Sequence, residues 1–380
     1  MSKINICTDF IEKDPFWWWY QTVPTLGYFK NISVNKIKFV DAEPSKNNYI
    51  LLYLLPNDIT LQFLESQEKI FYDNILLKNF KIIFLNQGLA LFHADRNPAK
   101  FGSAFDHSYI DIKQHPYWKI CNIFQKHGIN EEKLFFIHSA DGFTEEIQEL
   151  GQRTVKCINS TIDIKSKHMQ LPLYLTWGQN ISVTVENQIS YHYSCLYGGR
   201  PAIHRQNLIK SLWQKKLLQY GKCSYRRVPN TPHFIDDLIY DKKINWTNDI
   251  NYSETYVFRD IFLWVAGETY IPQGYPFFTE KTIKAILYER PFISYGEPGI
   301  LKYLRSFGFK TFNNWWDESY DDIKDDDAKI EKISSIIQEL CKKDITEINK
   351  MYADMKPILQ HNKKLLQETD WVNKITNFLS

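Results

Sequence analysis

Short runs of apolar residues, separated by helix-length segments, constrain the fold of this chain more than any other feature. Four runs in the first half end in turn or polar residues: INICTDF (4–10), YILLYLLP (49–56), KIIFLNQG (81–88) and LFFIHSAD (134–141). This alternation is typical of parallel strands joined by crossover helices. The segment HPYWKICNIFQKHG (115–128) is one predicted helix. It ends at a glycine, which is typical of helix C-termini. The first half is therefore predicted to be an α/β domain.

The second half repeats the pattern, with predicted strands at 189–199, 260–268 and 290–296 and a predicted helix at 201–221. A chain of 380 residues exceeds the size at which one core stops growing. We therefore predict two α/β domains, residues 1–160 and 181–343, joined by a weakly periodic passage (156–180). Helices are predicted after Asp325, and those over 344–380 are expected to pack back toward the first domain.

Composition excludes several classes of protein. Hydrophobic residues make up 44% of the chain and aromatic residues 16%, which favours a compact globular protein over a disordered one. The net charge of +2 gives no overall attraction to nucleic acid or to an anionic membrane. Six scattered cysteines form no CxxC pair, and no apolar stretch approaches the roughly 20 residues of a membrane span. We expect a cytoplasmic protein with reduced thiols.

The segment YPFFTEKTIKAILYERPFISYGEPG (275–299) contains a predicted helix with a cation at the wrong end. Thr279 is a suitable N-cap, and Lys281 lies in the first turn, where the helix dipole disfavours positive charge. A lysine at this place makes sense if an anion binds there, because backbone N–H groups and an ammonium together form a phosphate site. The alternative is a solvated Lys281, with Glu280 paired to Lys284 one turn on.

A second cationic helix start occurs at YGGRPAIHRQNL (197–208), where two glycines follow a predicted strand. Arg200, His204 and Arg205 surround this helix start, and Pro201 suits its first position. The segment matches neither GxGxxG nor a Walker loop, so no dinucleotide or ATPase motif is present. The alternative is that the arginines pair with acidic residues of the C-terminal helices.

The segment 268–299, with Glu268, Phe278, Thr279, Glu280 and Lys281, resembles the donor-site signature of the α1,3-fucosyltransferase family. Together with RPAIHR (200–205) and LKYLRSFGFKTFNNWWDESYDD (301–322), it resembles more closely a set of uncharacterised glycosyltransferase-like proteins of bacteriophages and large viruses. The resemblance covers roughly residues 191–333.

This resemblance implies a GT-B fold, in which two Rossmann-like domains face a cleft and the C-terminal domain binds a nucleotide sugar, typically GDP-fucose. It implies transfer to an acceptor hydroxyl with inversion and without a metal or other cofactor. Glu280 would hold ribose or sugar hydroxyls, and Lys281 and Arg205 would hold the diphosphate from opposite sides. The remaining expected donor-site residues are Arg200, His204, Glu268 and Thr279.

The acceptor side is expected at the carboxyl ends of strands in the first domain. An inverting transferase needs a base there to take the acceptor proton, and Asp141 is preferred over Asp95. Aromatic faces suit sugars and bases, so PFWWWYQT (15–22) is a candidate acceptor surface. The other candidate acceptor contacts are Trp17, Trp18, His93 and His138.

Two alternatives to this glycosyltransferase interpretation remain open. The chain could be a non-catalytic carbohydrate-binding or assembly protein of the same fold, or it could transfer another sugar to a modified nucleobase, a glycan or a protein. The aspartates at 325–327 superficially suggest a metal site, but acidic residues ahead of a helix also suit its dipole, and we predict no metal there.

Overall fold

The structure is a computed structural model, and it divides the chain into two compact units. The described residues are 4–7, 34–44, 48–53, 59–86, 116–138, 166–172, 175, 178, 181–185, 188–197, 202–225, 230, 234, 255–268 and 276–379. The first unit comprises Met1–Leu173 and Asp370–Ser380, and the second comprises Tyr174–Thr369.

The described strands are β1 (Ile4–Cys7), β2 (Val34–Ile37), β3 (Asn48–Tyr53), β4 (Lys81–Asn86), β5 (Leu134–His138), β6 (Lys167–Gln170), β7 (Tyr191–Tyr197), β8 (Gly221–Tyr225), β9 (Ile261–Gly267) and β10 (Phe292–Tyr295). The described helices are α1 (Ile59–Ser66), α2 (Lys69–Leu77), α3 (Pro116–Lys126), α4 (Ile203–Gln214), α5 (Thr255–Phe258), α6 (Glu280–Leu287), α7 (Ile300–Ser306), α8 (Asp326–Cys341), α9 (Ile345–Glu368) and α10 (Trp371–Leu379). A short 3-10 helix also spans Glu318–Asp322.

The first unit contains a six-stranded sheet in the order β2-β1-β3-β4-β5-β6, and all of its pairs are parallel. Every second residue along the central strands, such as Ile82 and Phe84 of β4, lies on one face of the sheet. These residues pack with α1, α2 and α3 in one core. The opposite face carries Tyr49 and Phe135, which contact α10: the Tyr49 hydroxyl donates to the Leu379 carbonyl, and Phe135 meets Phe378 edge to face. Burial on both faces explains the continuous apolar runs of these strands.

The second unit contains a four-stranded parallel sheet in the order β10-β9-β7-β8. All seven residues of β9 are buried, as its uninterrupted apolar sequence predicts. Helix α4 packs on α8, and α6 packs on α9. The α/β class predicted for both halves is therefore confirmed, with a parallel sheet in each.

The structure refines two sequence predictions about the connections. The passage predicted between the domains (156–180) includes the boundary between the two units at Leu173–Tyr174, but it also contains β6, which pairs with β5 at the edge of the first sheet. The helix predicted over 201–221 ends at Gln214, and the chain enters β8 at Gly221. The pattern missed β8 because its Lys222 is a buried cation, which pairs with Asp260 and lies 5.0 Å from the centre of the Tyr191 ring.

The predicted helices after Asp325 are confirmed, and the four apolar positions that predicted the first of them are buried in α8: Ile330, Ile333, Ile337 and Leu340. Helix α9 begins at a capping box formed by Asp344 and Glu347 and belongs to the second unit. Helix α10 belongs to the first unit, where Trp371 is fully buried. Among the described residues, no helix is long and apolar enough to cross a membrane.

Candidate functional site

The centre of the second sheet is a point where the chain reverses its direction of travel. Strands β7 and β9 are neighbours, but β7 leads through α4 to β8 on one side, whereas β9 leads through α6 to β10 on the other. Right-handed crossovers in opposite directions place the two helices on opposite faces of the sheet. In open α/β sheets, ligands bind outside the carboxyl ends of the strands at such a reversal point.

Helix α6 begins at this edge as the sequence predicts. Thr279 is its N-cap, with extended backbone and a hydroxyl that accepts from the Lys281 N–H at 3.3 Å. The apolar stripe of the helix is buried, since Ile283, Ile286 and Leu287 are each at most 2% exposed. Packing of that stripe leaves Lys281 at the first turn, with its side chain 23% exposed.

Helix α4 begins at the same edge after β7. His204 and Arg205 lie in its first turn and are both buried. Ala202 is the N-cap and provides no side-chain cap, so the helix start lacks the usual hydroxyl or carboxylate. Arg200 and Pro201, predicted at this helix start, lie outside the described residues.

Glu268, which directly follows β9, lies between the two helix starts and is only 1% exposed. One carboxylate oxygen accepts from the Thr279 N–H at 3.1 Å and from the Thr279 hydroxyl. The other accepts from the Thr282 hydroxyl at 2.7 Å, and that hydroxyl lies 3.0 Å from the Ser294 hydroxyl of β10. The carboxylate thus fixes the first turn of α6 to the sheet.

The backbone carbonyl of the same residue holds α4. It accepts from the Arg205 guanidinium at 3.1 Å and lies 3.2 Å from Nε2 of His204. Because a carbonyl oxygen only accepts, Nε2 of His204 carries the proton. The Arg205 guanidinium is therefore held at the end of β9 by the Glu268 carbonyl.

Lys281 completes the cluster from the α6 side. Its ammonium donates to the Thr279 hydroxyl at 3.1 Å and to Oε1 of Glu280 at 2.8 Å. It is also close enough to lower the pKa of His204, and it opposes the rise in the pKa of Glu268. The two cations predicted at separate helix starts, Arg205 and Lys281, therefore belong to one cluster linked through Glu268 and Thr279.

The ionisation of the cluster follows from burial and charge. Burial is the larger cause and the Arg205 guanidinium the next, and together they lower the pKa of His204 to about 3. This imidazole is therefore neutral near pH 7. Burial alone would raise the pKa of Glu280, but the ammonium groups of Lys281 and Lys284 outweigh it and lower that pKa to about 2. Burial raises the pKa of Glu268. Arg205 and Lys281 thus supply the positive charge in place of His204.

Tyr197 and Gly267 support Arg205 from the sheet. The Arg205 guanidinium lies 5.7 Å from the centre of the Tyr197 ring, a cation–π distance. That ring packs so closely on the last residue of β9 that a Cβ added at Gly267 would lie 2.4 Å from Tyr197 Cε1. Sequence reasoning missed both residues, along with Thr282 and Ser294, because their roles depend on which strands are neighbours.

The first unit contributes fewer described candidates. His138 is the last residue of β5 and pairs in register with Asn86 of β4. The other candidate acceptor or catalytic residues lie outside the described part of the chain: Trp17, Trp18, His93, Asp95 and Asp141.

The aspartate run at 325–327 has a structural role. Asp325 is the N-cap of α8 and accepts from the Ala328 N–H at 2.8 Å, as expected for acidic residues at a helix start. Within the described ranges, no group of three or more His, Cys, Asp or Glu residues is arranged to hold a metal ion.

Comparison with known proteins gives structural likeness but no family assignment. No protein-family model matches the chain, and no curated protein matches it. One matching solved structure is that of the DNA-modifying enzyme β-glucosyltransferase, determined in the presence and absence of its substrate uridine diphosphoglucose. It is 9% identical, covers 100% of both chains and has a TM-score of 0.44. A likeness of this strength carries no argument about substrate or residues, so a functional proposal must rest on the site.

Proposed function

We propose that the second unit binds the diphosphate of a nucleotide sugar and that the protein is a glycosyltransferase. The observation that carries this proposal is the placement of Arg205 and Lys281. They lie at the first turns of two helices, beside the same buried residue, at the reversal point of a parallel sheet. Helix N-termini and paired cations at such a point favour an anion with two phosphoryl groups.

The chemistry of sugar transfer makes use of this arrangement. As the bond to the anomeric carbon breaks, the sugar gains oxocarbenium character and the departing diphosphate gains negative charge. Cations fixed in advance stabilise that charge more strongly in the transition state than in the ground state. The proposed transferase is therefore metal-independent. Inversion and a GT-B arrangement of the two units are parts of the proposal that the sequence resemblance supplies. Asp141 or Asp95 is the proposed base because each is expected at the carboxyl end of a strand of the first domain.

Several donor sugars and acceptors are compatible with a glycosyltransferase of this kind. The sequence resemblance favours GDP-fucose. Glu280 is proposed to release Lys281 to the diphosphate and to bind hydroxyls of the donor, since its carboxylate pairs with Lys281 and retains a charge near pH 7. Another sugar, transferred to a modified nucleobase, glycan or protein, is the alternative. A non-catalytic binding protein with the same site is the second alternative.

Binding of nucleoside diphosphates tests the site. Calorimetric titration with GDP, UDP and ADP is expected to identify at least one ligand of the wild-type protein. Lys281→Ala and Arg205→Ala should each weaken that binding by about 10- to 100-fold, because each removes a charge-assisted contact. Lys302→Ala is the matched control, since Lys302 is an exposed lysine in the first turn of a different helix, α7. Its affinity should equal that of the wild type.

Unchanged affinity in both Lys281→Ala and Arg205→Ala would defeat the site assignment. Activity is tested separately, by incubating the protein with GDP-fucose, UDP-glucose and related donors in excess EDTA. Donor hydrolysis or transfer would support an enzyme, whereas binding without turnover of any donor would favour the non-catalytic alternative. A strict requirement for added Mg²⁺ or Mn²⁺ would contradict the metal-independent mechanism.

A further inference from the structure

We propose that Glu268 is a positioning residue, which sets the distance between Arg205 and Lys281 and makes no contact with the donor. This inference rests on the proposed function of the same site. It departs from the sequence resemblance, which places Glu268 among the donor-binding residues.

The carboxylate of Glu268 is already used within the protein. Three donors are directed at its two oxygens: the Thr279 N–H, the Thr279 hydroxyl and the Thr282 hydroxyl. The aliphatic part of Glu268 is packed closely from the β10 side as well, because a Cβ added at Gly296 would lie 3.0 Å from Glu268 Cβ. A ligand hydroxyl could bond to the carboxylate only by displacing these partners, and Glu268 is only 1% exposed.

The carbonyl and the carboxylate of Glu268 are directed at different helices. The carbonyl receives the Arg205 guanidinium of α4, and the carboxylate holds Thr279, whose hydroxyl receives the Lys281 ammonium of α6. Both cations are long side chains on helices that approach the sheet from opposite faces. A single rigid residue between them therefore determines how far apart two charged groups lie.

The separation of the cations matters because a diphosphate has a fixed length. Cations that are held in place before binding need not lose side-chain freedom when the ligand arrives, so less of the interaction is spent on ordering them. Displacements of about 0.5 Å are sufficient to weaken such constellations. Shortening residue 268 should therefore do more harm than removing its charge.

Two substitutions separate position from charge. Glu268→Asp keeps the charge but withdraws the carboxylate by one methylene from Thr279 and Thr282. Glu268→Gln keeps the length: its amide oxygen can accept from Thr279, and its NH₂ group can donate to the Thr282 hydroxyl, which then donates to Ser294. The probe is whichever of GDP, UDP and ADP the wild type binds, with inorganic pyrophosphate as a minimal diphosphate.

We expect Glu268→Asp to weaken binding of both probes by about tenfold or more, and Glu268→Gln by less than about threefold. In a Lys281→Ala background, Glu268→Asp should have a smaller effect, because one of the two cations that it positions is then absent. A purely structural role would lower the melting temperature of Glu268→Asp without this dependence on Lys281. Thr282→Val is the second variant if Glu268→Asp fails to fold, and it should also weaken binding, since the Thr282 hydroxyl holds one oxygen of the Glu268 carboxylate.

The other possible outcomes distinguish failure of the positioning role from failure of the proposed function. If Lys281→Ala weakens binding but folded Glu268→Asp, or Thr282→Val in its place, binds like the wild type, the positioning role is overturned and the proposed function stands. Equal losses in Glu268→Gln and Glu268→Asp would assign Glu268 to direct contact with the ligand. Absence of diphosphate binding by the wild type would overturn the proposed function and this inference with it.

Discussion

Thr279 contributes both to the stability of the second unit and to its candidate site. Replacing it with valine should lower that stability and weaken ligand binding. Valine has a similar size but lacks the hydroxyl that caps Lys281 N–H, donates to Glu268 and accepts from the Lys281 ammonium. Loss of an N-cap costs about 1 kcal/mol. Loss of a hydrogen bond to a buried carboxyl group costs about 1–2 kcal/mol more, because the Thr279 N–H still bonds to the same oxygen. We expect a total loss of about 2–3 kcal/mol.

Differential scanning calorimetry of the complete chain measures this loss. For a unit of this size each kcal/mol shifts the melting temperature by about 2–4 °C, so the transition of the second unit should fall by about 4–12 °C. Thr346→Val is the matched control, because Thr346 occupies the first turn of α9 and is exposed. It should shift the melting temperature by no more than about 2 °C. A Thr279→Val transition within this control range would refute the role of the hydroxyl as cap and anchor.

Two further predictions concern ionisation. Burial, with a smaller contribution from the charge of Asp322, raises the pKa of Asp321 from 3.8 to about 6, although its carboxylate accepts from the Leu301 N–H and interacts with the Lys329 ammonium. A pKa raised by folding contributes stability below pH 3.8 that is lost as the pH rises through about 6. Asp321→Asn should therefore gain stability relative to the wild type between pH 4 and 7, on the order of 3 kcal/mol by denaturant titration; a pH-independent difference would contradict this. For His204, long-range ¹H–¹⁵N spectra should show a neutral ring protonated at Nε2 between pH 5.5 and 8, and a titration in that range would contradict the burial of this imidazole.

The strands that the sequence missed share an edge position in the sheets, although β10, which the sequence predicted, also lies at an edge. Central strands such as β4 and β9 are buried on both faces, so their sequences are continuous apolar runs that mark them clearly. The missed strands β2, β6 and β8 all lie at sheet edges, where one neighbour is absent. Edge strands need less apolar surface, and β8 even includes the buried Lys222. The apolar pattern alone therefore underestimates the width of both sheets.

The site was predictable to the extent that it depends on local sequence. Thr279 as an N-cap and Lys281 in a first turn follow from a few adjacent residues, and both positions are confirmed. The link between Lys281 and Arg205 depends on β7 and β9 being neighbours, which no local pattern specifies. It also passes through a backbone carbonyl, that of Glu268, and every residue has such a group. Sequence reasoning could propose two cationic helix starts but could not show what connects them.

Helix α10 has a consequence for how the protein is made. It packs on the first unit through Trp371, Ile375 and Leu379, all fully buried, and Leu379 is 330 residues away from its partner Tyr49. Domains that are continuous in sequence can fold during synthesis, before translation ends. The first unit cannot do so before residues 370–379 have been synthesised, because α10 belongs to it. The first unit is thus complete only after the whole of the second unit has been translated.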